Sequence, residues 1–230
     1  MSTAVDLAPA ETVGDLLARL EGIEPHRILL RPAPGTATEA DLLHVLDHGN
    51  RLCELVEATL VEKGMGTREG SLAGRIFYLL QVYLDGNDIG ELFGADSPFR
   101  LEPGLVRMPD VTFILRENLA DGQIPSEAIA GAVPDLAVEV LSESNTPAEM
   151  RRKRRDYFTA GTTLVWEVDP QRRVVVVYTD AEMGVTLTEA DTLDGGNVLP
   201  GLVLPIRRIF ERLPPLEVPA RGRGRKKPKG

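Results

Sequence analysis

The stretch "VPDLAVEVLSESN", Val133–Asn145, reads as a buried strand with a carboxylate inside it. Side chains alternate along a strand, so Leu136, Val138 and Val140 share one face. Asp135, Ala137, Glu139 and Leu141 share the other. Some 25 residues earlier "RMPDVTFIL", Arg107–Leu115, repeats the design: a Pro-Asp pair, then an apolar run, with Asp110 on the face of Thr112 and Ile114. An ionised carboxylate in an apolar strand is costly unless something pairs with it. If the two strands are neighbours, Asp110 and Glu139 converge and repel, and a divalent cation between them removes the repulsion. Asp, Glu, a backbone carbonyl and water form an all-oxygen site suited to Mg²⁺ or Mn²⁺. The bland reading of each acid is a bond to a backbone amide or an arginine.

Downstream, Thr146 is placed to cap a helix, with Pro147 at its first position and an end near Ala160. "TTLVWEVDP" and "RRVVVVYT" then form a hairpin through "DPQR". The piece from Asp135 to Val168 has the size of one right-handed strand–helix–strand crossover, which makes its two strands parallel. Its helix, "AEMRRKRRDYFTAG", is strongly basic. With Met150, Tyr157 and Gly161 at the centre of the inner face, Arg152 and Arg155 point outward, where they could hold a phosphate backbone. Lys153 stands at the border, one turn from Tyr157, a single lysine among four arginines. Its amine is tunable where a guanidinium is not. The alternative for this cluster is a solvated basic face.

Upstream, "ETVGDLLARLEGI" is spaced for an amphipathic helix through Val13, Leu16, Leu17 and Leu20. Thr38 caps a second helix carrying Leu42, Val45 and Leu46. Leu52–Val56 and Thr59–Glu62 alternate as a hairpin. "REGSLAGRIFYLLQVYLDGND" is the clearest helix, with Leu72, Ile76, Leu79, Leu80 and Val82 inward. Two or three strands follow to Leu115, with turns at Ala95–Ser97 and Glu102–Gly104. Residues 116–132 form a polar connection with one helical turn. "GLVLPIRRIFERL" closes with a strand and a turn of helix. Helices, strands around one long helix, then strand–helix–strand give an α/β (α+β mixed) class: a central mixed β-sheet flanked by helices. The chain divides into an N-terminal helical extension (1–37), a main domain (38–213) and a basic tail (214–230).

Composition narrows the function. No apolar run reaches the ~20 residues that span a bilayer, and no signal peptide is recognisable in "MSTAVDLAPAETVGD". Cys53 is the single cysteine, which excludes disulfide frameworks and Cys-based zinc sites and suits a cytoplasmic location. His44 and His48, four apart, could share a helix face as a two-His metal site, or as a plain polar face. The net charge is −9, yet the tail "ARGRGRKKPKG" holds six positive charges and no negative one. An acidic body repels nucleic acid at long range, and a basic tail can offset that by gripping phosphates. The tail's composition predicts disorder.

Five stretches together resemble the Uma2 family, which groups with the PD-(D/E)XK restriction endonuclease-like fold: "LCELVEATLVEKGMG", "GRIFYLL", "FRLEPGLVRMPDVTFI", "PDLAVEVLSESNT" and "KRRDYFTAGTTLVWEVDP". The resemblance spans about residues 40–210. It implies a metal-dependent nuclease. Asp110 matches the motif aspartate, Glu139 the motif glutamate, and Lys153 the lysine that this family carries on the helix. Leu141 is the vacated position. The resemblance also implies a further acid before or on the long helix, with Glu69 the first candidate and Glu54 the second, and the Val140 carbonyl as a further ligand. Glu143 departs from a common proline, Thr162-Thr163 from a more usual Val-Pro, and the "VEATLVE" turn lacks Asp-Gly. The implied activity is Mg²⁺- or Mn²⁺-dependent hydrolysis of DNA by water attack, with a homodimer as the expected assembly. The competing readings are a catalytically silent nucleic-acid-binding or assembly module with the same fold, and an enzyme acting on RNA or another phosphoester.

Overall fold

The computed structural model describes residues 10–214 apart from Asn50 and Met65. The basic tail therefore falls outside the described residues, save Pro214. Five α-helices are described: α1 Val13–Arg19, α2 Glu39–His48, α3 Thr67–Leu84, α4 Pro147–Ala160 and α5 Ile206–Phe210. The strands run β1 Cys53–Val56, β2 Thr59–Glu62, β3 Gly90–Gly94, β4 Phe99–Glu102, β5 Leu105–Arg107 and β6 Val111–Leu115. They continue as β7 Leu136–Val140, β8 Leu164–Asp169, β9 Val174–Tyr178, β10 Gly184–Leu187, β11 Thr192–Gly195 and β12 Leu199–Pro205.

The class is α/β with helices flanking the sheets, as expected, but the strands do not all join one sheet. Six of them form a mixed sheet in the order β10-β9-β8-β7-β6-β3. β7 and β8 pair in parallel, and every other neighbour in that sheet is antiparallel. The β1–β2 hairpin instead joins β5 and β4 in a four-stranded antiparallel sheet, and β11–β12 form a separate ribbon. The short loops from β3 to β4 and from β5 to β6 each cross between sheets, which hydrophobic alternation along single strands cannot reveal.

Each face of the six-stranded sheet has its own core. Phe113, Leu136, Val138 and Trp166 pack with Leu72, Ile76 and Leu80 of α3 and with Ile206 and Phe210 of α5. Val82 does not join them, being 49% exposed; Ala73 and Leu84 are buried instead. On the opposite face Ile114, Ala137 and Val165 meet Tyr157 of α4 and Phe99 of β4. Burying each such large apolar side chain contributes about 1.5–3 kcal/mol.

The local signals read from the sequence take these forms. Thr38 and Asp41 make a reciprocal capping box on α2. Thr146 accepts from Glu149 N at the start of α4, with Pro147 in its first turn. α4 ends at Gly161, whose φ of 114° is left-handed. Gly161 is an exposed cap, therefore, not part of the inner face. The polar connection 116–132 carries two short 3₁₀ turns, and β10 and β11 were not anticipated. The segment before α2 packs on the rest of the described chain: Leu20 and Ile23 pack with Val56 and Val61, and Arg27 pairs with Glu149 at 2.8 Å.

Candidate active site

β6 and β7 run antiparallel with Val111 opposite Val138 and Thr112 opposite Ala137. Asp110, just before β6, lies alongside this end of β7, close enough to Glu139 for the two carboxylates to repel. Asp110 is clamped to β7 twice: its N–H donates to Val138 O at 2.8 Å, and Val140 N donates to its Oδ2 at 2.6 Å. Backbone groups alternate in direction along a strand, so the Val140 carbonyl also faces the β6 side. The second Pro-Asp acid has a different use. Asp135 accepts from Leu115 N and from Asn118 Nδ2, both at 2.8 Å, and so ties the end of β6 to the loop beyond it.

α4 delivers the cation. Lys153 Nζ donates to both oxygens of Glu139, at 2.9 and 3.0 Å, and lies 3.2 Å from Glu54 Oε1. One turn later Tyr157 Oη donates to Glu139 Oε1 at 2.5 Å. Glu54, on β1, accepts from Arg107 at 2.7 Å and from Met108 N at 3.1 Å. Arg107, with no exposure at all, also holds Asp156 of α4 at 2.5 Å. At the other carboxylate Lys63 Nζ lies 2.7 Å from Asp110 Oδ1 and donates to Ala95 O at 3.2 Å. The Lys63 approach is an ion pair off hydrogen-bond direction, for Oδ1 is buried and accepts no hydrogen bond among the described residues.

The cluster is deeply buried: Asp110 is 5% exposed, Glu139 4%, Lys153 2% and Glu54 1%. Burial, with repulsion from Asp110 and Glu54, raises the Glu139 carboxyl above its ordinary range against the pull of Lys153. Burial also acts to raise Glu54, but Lys153 and Arg107 outweigh it and hold that carboxyl below the usual range. Burial acts to lower Lys153, and Glu139 and Glu54 overcome it and keep the ammonium protonated.

Two of the four arginines of the basic helix are neither solvated nor free for phosphate. Arg152 does not point outward: it is 8% exposed and binds Glu57 at 2.8 Å and the Arg19 carbonyl. Arg154, 7% exposed, binds Glu167 at 2.5 Å and lies over the Tyr178 ring. Arg155 does face outward, paired with Glu21, and Arg151 is exposed. α4 is buried by charge pairing as much as by apolar contact, which is why hydrophobic periodicity misplaced Arg152.

Among the acids expected near the long helix, Glu54 is in contact with Lys153 and Glu69 is not in that network. Glu69 sits half-buried in the first turn of α3, on the wall of a cavity of about 300 Å³ shared with Gly64, Ser142 and Ser144. His44 and His48 stack on the exposed face of α2 at 4.9 Å between ring centroids. Among the described residues no three His, Cys, Asp or Glu side chains form a ready metal cluster. The ligand atoms around Asp110 and Glu139 nevertheless fit a hard divalent cation in kind: all are oxygens, and Asp110 Oδ1 is buried and faces a cation, the Lys63 ammonium, without a well-aligned hydrogen bond among the described residues. What fills the space at both carboxylates is the chain's own lysines.

A family model described as "Uma2: Putative restriction endonuclease" matches residues 40–207. No curated protein matches the sequence. Among solved structures, a protein from Anabaena variabilis described as "a putative nuclease belonging to DUF820" is similar in fold. The TM-score is 0.62 at 17% identity, covering 72% of this chain and 97% of that one.

Proposed function

The chain belongs to the Uma2 family, and from that premise we propose that it is a metal-dependent endonuclease that hydrolyses DNA phosphodiester bonds. The observation that carries the reading is the convergence of Asp110 and Glu139 across β6 and β7, with Lys153 brought against Glu139 from α4. In this proposal Asp110, Glu139 and the Val140 carbonyl hold Mg²⁺ or Mn²⁺, and Glu54 is a stronger candidate than Glu69 for the third acid. A divalent cation there supplies water activation and neutralises charge on the phosphate. The chain's own residues do the rest. The Val140 N–H holds the Asp110 carboxylate, and the Val138 carbonyl holds the Asp110 backbone N–H. Tyr157 orients Glu139. Lys153, as an ammonium, stabilises the negative charge that develops on the transferring phosphoryl oxygens. A cut through both strands further calls for a symmetric pair of sites, hence a homodimer.

A second reading has its own support. Each carboxylate is already paired within a closed network, the arrangement of a catalytically silent nucleic-acid-binding or assembly module. Plasmid DNA with Mg²⁺ or Mn²⁺ separates the two. The nuclease reading expects nicking by the native protein, lost at least about 100-fold in Asp110→Ala and in Lys153→Ala. DNA retention without cleavage by the native protein, at any concentration of either metal, would give the answer to the silent module.

A further inference from the structure

Two lysines enter the site, and they are held very differently. Lys153 is fixed by three contacts to two carboxylates. Lys63 faces Asp110 Oδ1 by charge alone, off hydrogen-bond direction, and its one hydrogen bond here is to the Ala95 carbonyl. Its side chain is only 3% exposed. An ammonium in such a place is a built counter-ion, since a buried carboxylate without one is strongly disfavoured. We propose that Lys63 is the resident cation of Asp110, occupying the cation position at Oδ1 until a divalent metal replaces it. Metal uptake and release of Lys63 are then a single exchange of one cation for another. The inference rests on the metal-dependent reading above and makes Lys63 a positioning residue for it.

The surroundings provide for both states. Asp110 Oδ2 stays clamped by Val140 N, so the carboxylate keeps its place when its partner changes. Lys63 follows the last residue of β2 and precedes Gly64, which walls the 300 Å³ cavity with Gly66, Ser142 and Ser144. A methyl group on Gly64 would overlap the Ser144 hydroxyl, so this lip is closely built. The unbranched four-carbon lysine stem can turn its charged end away from Asp110 without moving the backbone. Lys153 has no comparable freedom.

Two measurements test the exchange without reading cleavage. The first is calorimetric titration of Mg²⁺ and Mn²⁺ into the native protein, Lys63→Met and Asp110→Ala. With no ammonium to displace, Lys63→Met is expected to bind metal at least about tenfold more tightly than the native protein, and Asp110→Ala to lose binding. The second labels the native protein with an amine-reactive reagent and reads Lys63 by mass spectrometry. Lys63 is expected to be protected without metal and modified at saturating Mn²⁺. Native binding with no gain in Lys63→Met, and with Lys63 still protected, overturns the exchange and leaves the metal site standing. No binding by the native protein or by Lys63→Met overturns the metal reading and the exchange with it. If Lys63→Met does not fold, labelling of the native protein decides: metal-dependent modification supports the exchange, and unbroken protection refutes it.

Discussion

Lys153 grips Glu139 through both carboxylate oxygens and touches Glu54 as well, so one helix side chain neutralises two strands from two different sheets. Removing the ammonium leaves two buried acids facing each other. Lys153→Met should therefore cost about 3–5 kcal/mol of stability, measured by urea unfolding. Adding Glu139→Gln should recover a substantial part, because a neutral pair tolerates burial far better than a lone charge. A loss below about 1 kcal/mol in the single variant would mean the network is not formed in solution.

Arg27 ties the N-terminal extension to the first turn of α4. The guanidinium is 4% exposed and Glu149 fully buried. Arg27→Met should cost about 3 kcal/mol, far more than a surface pair. A change within about 0.5 kcal/mol would show the extension to be dispensable.

The β1–β2 turn carries strain. Glu57 and Ala58 both have φ of 49°, in the left-handed region where side chains other than glycine are disfavoured. The turn lacks the Asn-Gly or Asp-Gly pair that suits this geometry. Ala58→Gly should raise stability by about 1 kcal/mol. Glu57 is left in place, since it binds Arg152. Thermal unfolding showing a lower Tm for Ala58→Gly would count against the strain.

Cys53 is fully buried, and burial pushes its thiol from 9.0 up to about 11. Below pH 9 the thiol is protonated in both folded and unfolded chains and contributes nothing. As the pH rises from 9 toward 11 the unfolded chain loses its proton first, so stability should fall across that window. Cys53→Ala should flatten the start of this alkaline limb. Ellman's reagent at pH 8 should react with Cys53 only after unfolding.

Much of this was legible in the chain. Thr146-Pro147 marks the start of α4, and Thr38 with Asp41 caps α2, because capping is a matter of a few adjacent residues. The parallel pairing of β7 and β8 follows from the length of the crossover. The convergence of Asp110 and Glu139 follows from the matching Pro-Asp strands once these are neighbours. The family follows from motifs in order along the chain.

The charge partners were not legible. Lys63 and Arg107 carry no local signal, yet each sits beside a site carboxylate, 47 and 53 residues away in sequence. Arg152 and Arg155 were expected outside; Arg155 is, but the structure buries Arg152 against Glu57. Sequence alone determined most of the strands and helices, though not β10 and β11, and where the acids stand on them, because those properties depend on alternation and caps within a few residues. Only the tertiary structure decided which cation meets which acid. A long charged side chain has no preferred face until strands from separate sheets close around it and desolvation leaves an opposite charge as its one favourable neighbour.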